Sequence, residues 1–256
     1  MISNLEIETK KILGTKVSKG YSFEKSKEIF LKLHKSGNFS KVFTINPEFL
    51  VDAYYDKKFQ KVLNSGDYNC ADGFGIELLY GIKRTPGIEL LNHFLKVCND
   101  ESFSLFILGG SSDKEISKRA AEKISKSFPK IKIIGFSSDF SFQKEDDVKT
   151  IEYIHKCMTE NRVESIDLII VGYGHKNQEF WLERNMADIP ARIGMGVGGS
   201  LDFISKEVKR APKFLRTFGL EWAFRLIIQP KRIFRIFKAV ILFPMLSLFE
   251  KFHVAE

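Results

Sequence analysis

The stretch Val42-Phe43-Thr44-Ile45-Asn46-Pro47-Glu48 decides the fold. Its first four residues form a β-branched and aromatic run of the kind that fills a buried strand. Asn46 then supplies an N-cap, Pro47 a first helical position whose missing N–H costs nothing, and Glu48 a carboxylate for the first turn. A strand that passes straight into a helix is half of a βαβ unit. The rhythm recurs along the chain. Apolar runs at 68–71, 104–108, 131–135, 166–172 and 191–197 read as strands, and amphipathic stretches at 47–63, 88–97, 113–127, 146–161 and 178–186 read as helices. This alternation predicts an α/β fold, a mostly parallel, Rossmann-like sheet flanked by helices. Ligands of such sheets bind beyond the carboxyl ends of the strands. The unusual residues gather at those ends: Thr44 and Asn46, Asp72 and Gly73, Gly109 and Gly110, Gly172 and Gly174, then Gly196, Gly198 and Gly199.

The rhythm stops near Phe203. The rest of the chain mixes Arg and Lys with bulky apolar residues, and eight of the 24 phenylalanines lie between Lys213 and Phe252. The stretch reads as amphipathic helices broken near Gly219 and Pro230. It also holds the charge. The chain has 256 residues and a net charge of +8, and from Lys209 to Glu256 ten basic residues face three acidic ones, so the first 208 residues are almost neutral. Basic and aromatic residues at helical spacings suit a helix lying in a membrane interface. The aliphatic residues beside the charges favour lipid over a phosphate backbone, so no nucleic-acid partner is expected. The longest apolar run, residues 239–249, is interrupted by Pro244 and as a helix would be roughly 16 Å long, about half of a ~30 Å hydrocarbon core. The domain reading is therefore 1–204 as an α/β catalytic domain and 205–256 as a C-terminal helical, membrane-associating appendage.

The opening residues MISNLEIETKKIL carry scattered charges and no apolar core of a signal peptide, which predicts a cytoplasmic protein, peripheral on the inner face of the plasma membrane. Cys70, Cys98 and Cys157 fit neither a disulfide framework nor a zinc site and read as reduced core residues.

Several motifs bear on chemistry. Gly194-Met-Gly-Val-Gly-Gly199 matches GxGxxG, with Glu221 downstream, and an NAD-dependent oxidoreductase using Gly194, Gly196 and Gly199 is the alternative reading. A short helix and the basic tail come where a βαβ unit would continue, so glycines admitting a nucleotide phosphate or sugar fit better. Asp72, in Cys70-Ala-Asp-Gly-Phe-Gly75, is either a turn residue or a carboxylate presented at the sheet edge as a general base. Gln178 and Glu179 open a helix whose amides could face an anion, or merely form a polar first turn. No DxD, HExxH or Walker motif occurs, so metal-dependent nucleotide chemistry is not expected. A diphosphate would be met by arginines, glycine-loop amides and helix N-termini. Arg225, Arg232 and Arg235 would share one helical face if the helix continued past Pro230.

Taken in order, these segments resemble the WecG/TagA/CpsF family of bacterial glycosyltransferases. The matching pieces are Thr44-Ile-Asn46-Pro-Glu, Ala71-Asp72-Gly73-Phe-Gly75, Arg84 with Gly87, Phe106-Ile-Leu-Gly-Gly110, Gly172-Tyr-Gly-His-Lys-Asn-Gln178-Glu179, Gly196-Val-Gly-Gly-Ser-Leu-Asp-Phe203, Arg210-Ala-Pro212, and Gly219-Leu-Glu-Trp-Ala-Phe-Arg225 with Gln229-Pro-Lys-Arg232 and Arg235 after it. The resemblance implies inverting transfer of a sugar, often of N-acetylmannosamine type, from a UDP-sugar to a polyprenyl-diphosphate-linked acceptor in surface-glycan synthesis, with neither metal nor cofactor. By position, Asp72 would deprotonate the acceptor, and Thr44 and Gln178 would line the sugar and acceptor pocket. Asn46, Gly73, Arg84, Gly110, Gly174, Glu179, Gly196 and Gly199 would bind substrate or nucleotide. Arg210, Arg225, Arg232 and Arg235 would meet diphosphate charge at an anionic membrane surface. A homo-oligomer is compatible with this reading. The family usually has Pro at Lys176, Asp at Glu89 and Gly at Lys206.

Overall fold

The computed structural model describes residues 7–208 and 210–253. The first six residues of the opening segment, and Lys209 and Glu256 of the tail's charge count, lie outside the described residues. In chain order the strands are β1 (Thr9–Ile12), β2 (Thr15–Ser18), β3 (Ser40–Ile45), β4 (Tyr68–Ala71), β5 (Ser104–Gly109), β6 (Lys132–Ser137), β7 (Ile166–Gly172) and β8 (Ala191–Gly196). The helices are α1 (Phe23–His34), α2 (Pro47–Tyr55), α3 (Lys57–Asn64), α4 (Phe74–Tyr80), α5 (Gly87–Asp100), α6 (Ile116–Ser127), α7 (Asp147–Glu160), α8 (Asn177–Asn185), α9 (Ser200–Ile204), α10 (Lys213–Thr217), α11 (Glu221–Ile228), α12 (Ile233–Phe237) and α13 (Phe243–His253).

The strands form one sheet in the order β1-β2-β4-β3-β8-β7-β5-β6, and only the β1–β2 pair is antiparallel. Both faces are covered. Side chains alternate across a strand, so Leu105 and Ile107 of β5 join Leu168 and Ile170 of β7 in one core, while Phe106 and Leu108 join Ile169 and Val171 in the other. Helices α1, α5 and α6 close the first core, and α2, α3, α7 and α8 close the second. The predicted α/β architecture with a C-terminal helical appendage is what the chain adopts, and Cys70, Cys98 and Cys157 are free and buried.

Two expectations change. The helix anticipated over 47–63 is two helices, because Asp56 leaves the helical region and its Oδ1 accepts from the amides of Lys58 and Phe59 at 3.0 and 3.1 Å, starting α3 afresh. The tail helix breaks at Pro230, where the sequence predicts a break, so Arg225 does not share one helical face with Arg232 and Arg235. Gln229, restricted by the proline after it, leaves the helical region (φ −131°, ψ 72°), and Pro230 opens a new 3₁₀ turn at Pro230–Arg232.

Pro244, by contrast, does not interrupt its helix. Its ring would clash with the carbonyl four residues back, and a π-helical turn over Lys238–Leu242 immediately before α13 widens the backbone there. The tail runs back over the core, with Phe243 fully buried in the second core cluster. Among the described residues no helix is long and apolar enough to cross a membrane.

Candidate active site

Beyond the carboxyl ends of the strands lies a cleft of about 870 Å³. The parallel register that pairs Thr44 with Cys70 and Ile45 with Ala71 sets Thr44 and Asp72 side by side, and the amide of Asp72 extends the ladder by donating to the carbonyl of Ile45 at 2.6 Å. Opposite them is the start of α5. A Cβ built on Gly87 would stand 3.1 Å from Asp72 Oδ2 and 3.2 Å from Thr44 Oγ1, so the absent side chain is what lets the helix N-terminus close on both groups. The Gly87 amide donates to the Asp72 carboxylate. Burial nonetheless dominates and pushes the Asp72 carboxyl up to about 6, against the pull of that amide and of Arg225 and Arg84. A carboxylate near that value can hold and release a proton around neutrality.

The opposite wall comes from β7, β8 and α8. Gln178 is buried in the first turn of α8; its Oε1 accepts from the Gly198 amide at 2.8 Å, and its Nε2 donates to Glu179 Oε1 at 2.6 Å. One Nε2 hydrogen is left for the cleft. Glu179 is wholly buried behind this wall, and desolvation raises its carboxyl to about 8. Gly196 sits there too, a Cβ on it falling 2.9 Å from Gln178 Nε2 and from Glu179 Oε1.

Of the expected residues, Thr44, Asn46, Asp72, Gly73, Arg84, Gly110, Gly174, Gln178 and Gly199 line the cleft, together with Arg210, Arg225, Arg232 and Arg235; Glu179 and Gly196 do not. Asn46 is also the N-cap of α2, its Oδ1 accepting from the Phe49 amide at 3.1 Å. Gly194 lies in the body of β8 with Phe39 and Leu182 against it, and the succeeding α9 is only five residues long, so the GxGxxG match is not the turn that opens a βαβ unit.

The tail provides the cationic side. Bends at Gly219 and Gln229, rather than one helical face, bring Arg225, Arg232 and Arg235 to the cleft. Arg235 pairs with the buried Glu48, and Arg225 with Glu221 at 3.4 Å while lying 4.8 Å over the Phe203 ring. Among the described residues Arg232 makes no ion pair; burial, then the neighbouring Arg235 and Arg225, pull its guanidinium down to about 10. An unpaired, half-desolvated cation between two others is a place for an anion. Arg84 and Arg210 are more committed, Arg84 to Glu77 and the Arg216 carbonyl, Arg210 to Glu89.

Glu48, Asp52 and His175 lie close enough to hold a cation, but protein donors already engage both carboxylates: Arg235 on Glu48, and Lys238 at 2.6 Å with His175 at 2.7 Å on Asp52. Burial opposes ionisation of Asp52, yet those two hydrogen bonds outweigh it and hold its carboxyl low.

Sequence reasoning missed the loop after β6, where Ser138, Asp139 and Ser141 line the cleft, and missed Glu221 and Trp222 as lining residues. The loop's position past a strand's carboxyl end was its only signal. Lys176 does not line the cleft; it pairs with Asp56 at 2.8 Å and lies 5.4 Å from the Phe59 ring centre. Its φ of +71° is closed to proline, held at about −65°. Lys206, at φ +62°, occupies the left-handed region where glycine is at ease.

The Glycosyl transferase WecG/TagA/CpsF family model matches residues 10–255. A Staphylococcus aureus protein named N-acetylglucosaminyldiphosphoundecaprenol N-acetyl-beta-D-mannosaminyltransferase is 30% identical over 201 residues, 76% of this chain and 74% of its own. Proteins of the same name from Bacillus spizizenii and Bacillus subtilis are 28% identical over 197 residues and 29% over 195, covering 75% and 74% of this chain and 72% of each of theirs. With the match running over nearly the whole chain and its motifs gathered in one cleft, the protein belongs to the WecG/TagA/CpsF family of glycosyl transferases.

Proposed function

We propose that the protein transfers an N-acetylmannosamine-type sugar from a UDP-sugar to the sugar of a polyprenyl-diphosphate-linked acceptor, with inversion and without a metal ion, in the synthesis of a surface glycan. The observation that carries this reading is a proton-accepting carboxyl, Asp72, in one cleft with the arginines 225, 232 and 235. Asp72 takes the proton from the acceptor hydroxyl, and the oxygen attacks the anomeric carbon from the face opposite UDP. The bond from that carbon to the diphosphate oxygen breaks, and UDP leaves with the electron pair. Thr44, beside Asp72, and the spare N–H of Gln178 orient the sugars. The arginines and glycine-loop amides meet diphosphate charge. The relatives' names specify such a transferred group and acceptor, and a β-linked product from an α-linked donor is an inversion.

The tail, residues 205–256, docks on the anionic cytoplasmic leaflet. Ile227 and Phe234, 79% and 77% exposed, stand among basic residues, and each Lys or Arg near such a surface contributes about 1 kcal/mol. UDP release from a panel of UDP-N-acetylhexosamines, with a GlcNAc-diphosphate-prenyl acceptor and EDTA present, tests the reaction. UDP-N-acetylmannosamine is expected to be consumed; no release from any donor, or release that requires an added divalent ion, sinks the reading. Sedimentation of the full chain with anionic but not neutral vesicles tests the docking.

A further inference from the structure

The outer part of the cleft has a composition that the sugar and diphosphate chemistry does not use. Helix α4 forms its floor. Phe74 and Leu78 are four residues apart and therefore share a face, and both line the cleft although Leu78 is 68% exposed. The tail builds the two walls. On one side the turn before α11 lies on Phe74 so closely that a Cβ on Gly219 would stand 2.4 Å from the ring, which only glycine permits, and Trp222 comes next along the wall. On the other side Phe243 packs over Gly75 of α4, a Cβ on which would come within 3.5 Å of its ring, and Val240 and Pro244 line the cleft just beside it. Val240 lies within the π-helical turn over Lys238–Leu242, and such turns are frequent at functional sites. The result is a largely apolar trough, open to solvent at Leu78 and with the Arg84 guanidinium 5.6 Å over the Phe74 ring, in the same cleft as Arg225, Arg232 and Arg235.

We infer that this trough seats the first isoprene units of a prenyl diphosphate, the lipid leaving the cationic cluster over α4 and between the two halves of the tail. Charge fixes the inner end and the polarity of the ligand: a diphosphate at the arginines requires the apolar chain to run outward past Leu78. The inference rests on the proposed acceptor class but adds a site to it. The trough selects the acceptor by its lipid as well as by its sugar, and it threads the lipid between catalytic core and tail, so the core itself contributes to lipid recognition. Two isoprene units carry about ten carbons, and burying even part of them exceeds the 1.4 kcal/mol that corresponds to tenfold in affinity.

The test is binding to the full chain, without vesicles, of inorganic diphosphate, geranyl diphosphate and farnesyl diphosphate below their micelle-forming concentrations. Trp222 fluorescence reports it, since the other tryptophan, Trp181, is fully buried. Geranyl and farnesyl diphosphate are expected to bind at least about tenfold more tightly than inorganic diphosphate. Leu78→Gln and Val240→Gln, both at positions outside the core clusters, should each remove most of that preference while leaving the inorganic diphosphate Kd unchanged. Equal Kd values for the three ligands, or a preference untouched in both variants, overturns the trough. Because binding needs no turnover, a chain that prefers prenyl diphosphates but releases no UDP would refute the proposed reaction and leave the trough standing; turnover without lipid preference would do the reverse.

Discussion

Arg235 Nε lies 2.8 and 2.9 Å from the two carboxylate oxygens of Glu48, joining the tail to α2 across 187 positions of sequence. Glu48 is buried and Arg235 is partly exposed, and one helical turn further along Lys238 repeats the arrangement on Asp52. Solvent screening of the Arg235 end keeps the pair to about 1 kcal/mol. Glu48→Gln should therefore loosen the tail without disturbing the sheet. Limited trypsin digestion should cut faster between Arg225 and Lys238, while the unfolding transition of the core stays in place. An unchanged cleavage rate would show that the pair does not hold the tail.

Asp72 carries a stability cost that its proposed role explains. With its carboxyl raised from 3.8 to about 6, the protonated form is favoured in the fold, so its contribution is complete below pH 3.8 and lost as the pH rises through about 6. Asp72→Asn should raise Tm at pH 8, with the gain shrinking toward pH 4, and should lower kcat by two or more orders of magnitude while UDP binding is kept. In the unaltered enzyme kcat/KM should fall on the acid side with a midpoint near 6. Retained activity in the variant removes Asp72 from the chemistry.

Glu179 holds Gln178, its Oε1 accepting from the Gln178 Nε2 at 2.6 Å. Its carboxyl is raised by burial from 4.5 to about 8, and its Oε2 has no partner among the described residues. The protonated acid stabilises the fold fully below pH 4.5, and that stability is lost as the pH climbs to about 8. Glu179→Gln, which mimics the neutral acid, should flatten this pH dependence of Tm and keep activity at pH 7. Glu179→Leu frees the Gln178 amide and should raise KM more than it lowers Tm. A Glu179→Gln variant as inactive as the leucine variant would argue against positioning through a neutral acid.

Most of the sheet and much of the cleft could be read from sequence because the informative residues sit at strand ends, where one register decides their neighbours. Thr44, Asp72 and Gln178 are of this kind. The β1–β2 hairpin went unread because its turn is Leu13-Gly14, with Leu13 at φ +47° where Asn or Asp would have announced it. The apolar side chains that helix α1 buries are only Ile29, Phe30 and Leu33, set among lysines and glutamates, and α4 is a single seven-residue run with no clear apolar period. Glu179 was grouped with Gln178 by adjacency, yet successive helical residues point about 100° apart, which turns one to the cleft and the other behind it. The convergence of the arginines depends on two bends, and the sequence marks only where such bends fall, not their direction.

The shallow anchoring of the tail gives the molecule two thresholds of order. Among the described residues after Ser205, only Ala211 and Phe243 are buried apolar side chains, whereas β5 is buried along its whole length. Amides of α10 to α12 should therefore exchange with solvent through local openings far smaller than those that free the sheet. The arginine wall should be able to open while the sheet remains intact. Heating should therefore abolish activity before it melts the sheet, and a ligand seated between tail and core should raise the first threshold more than the second.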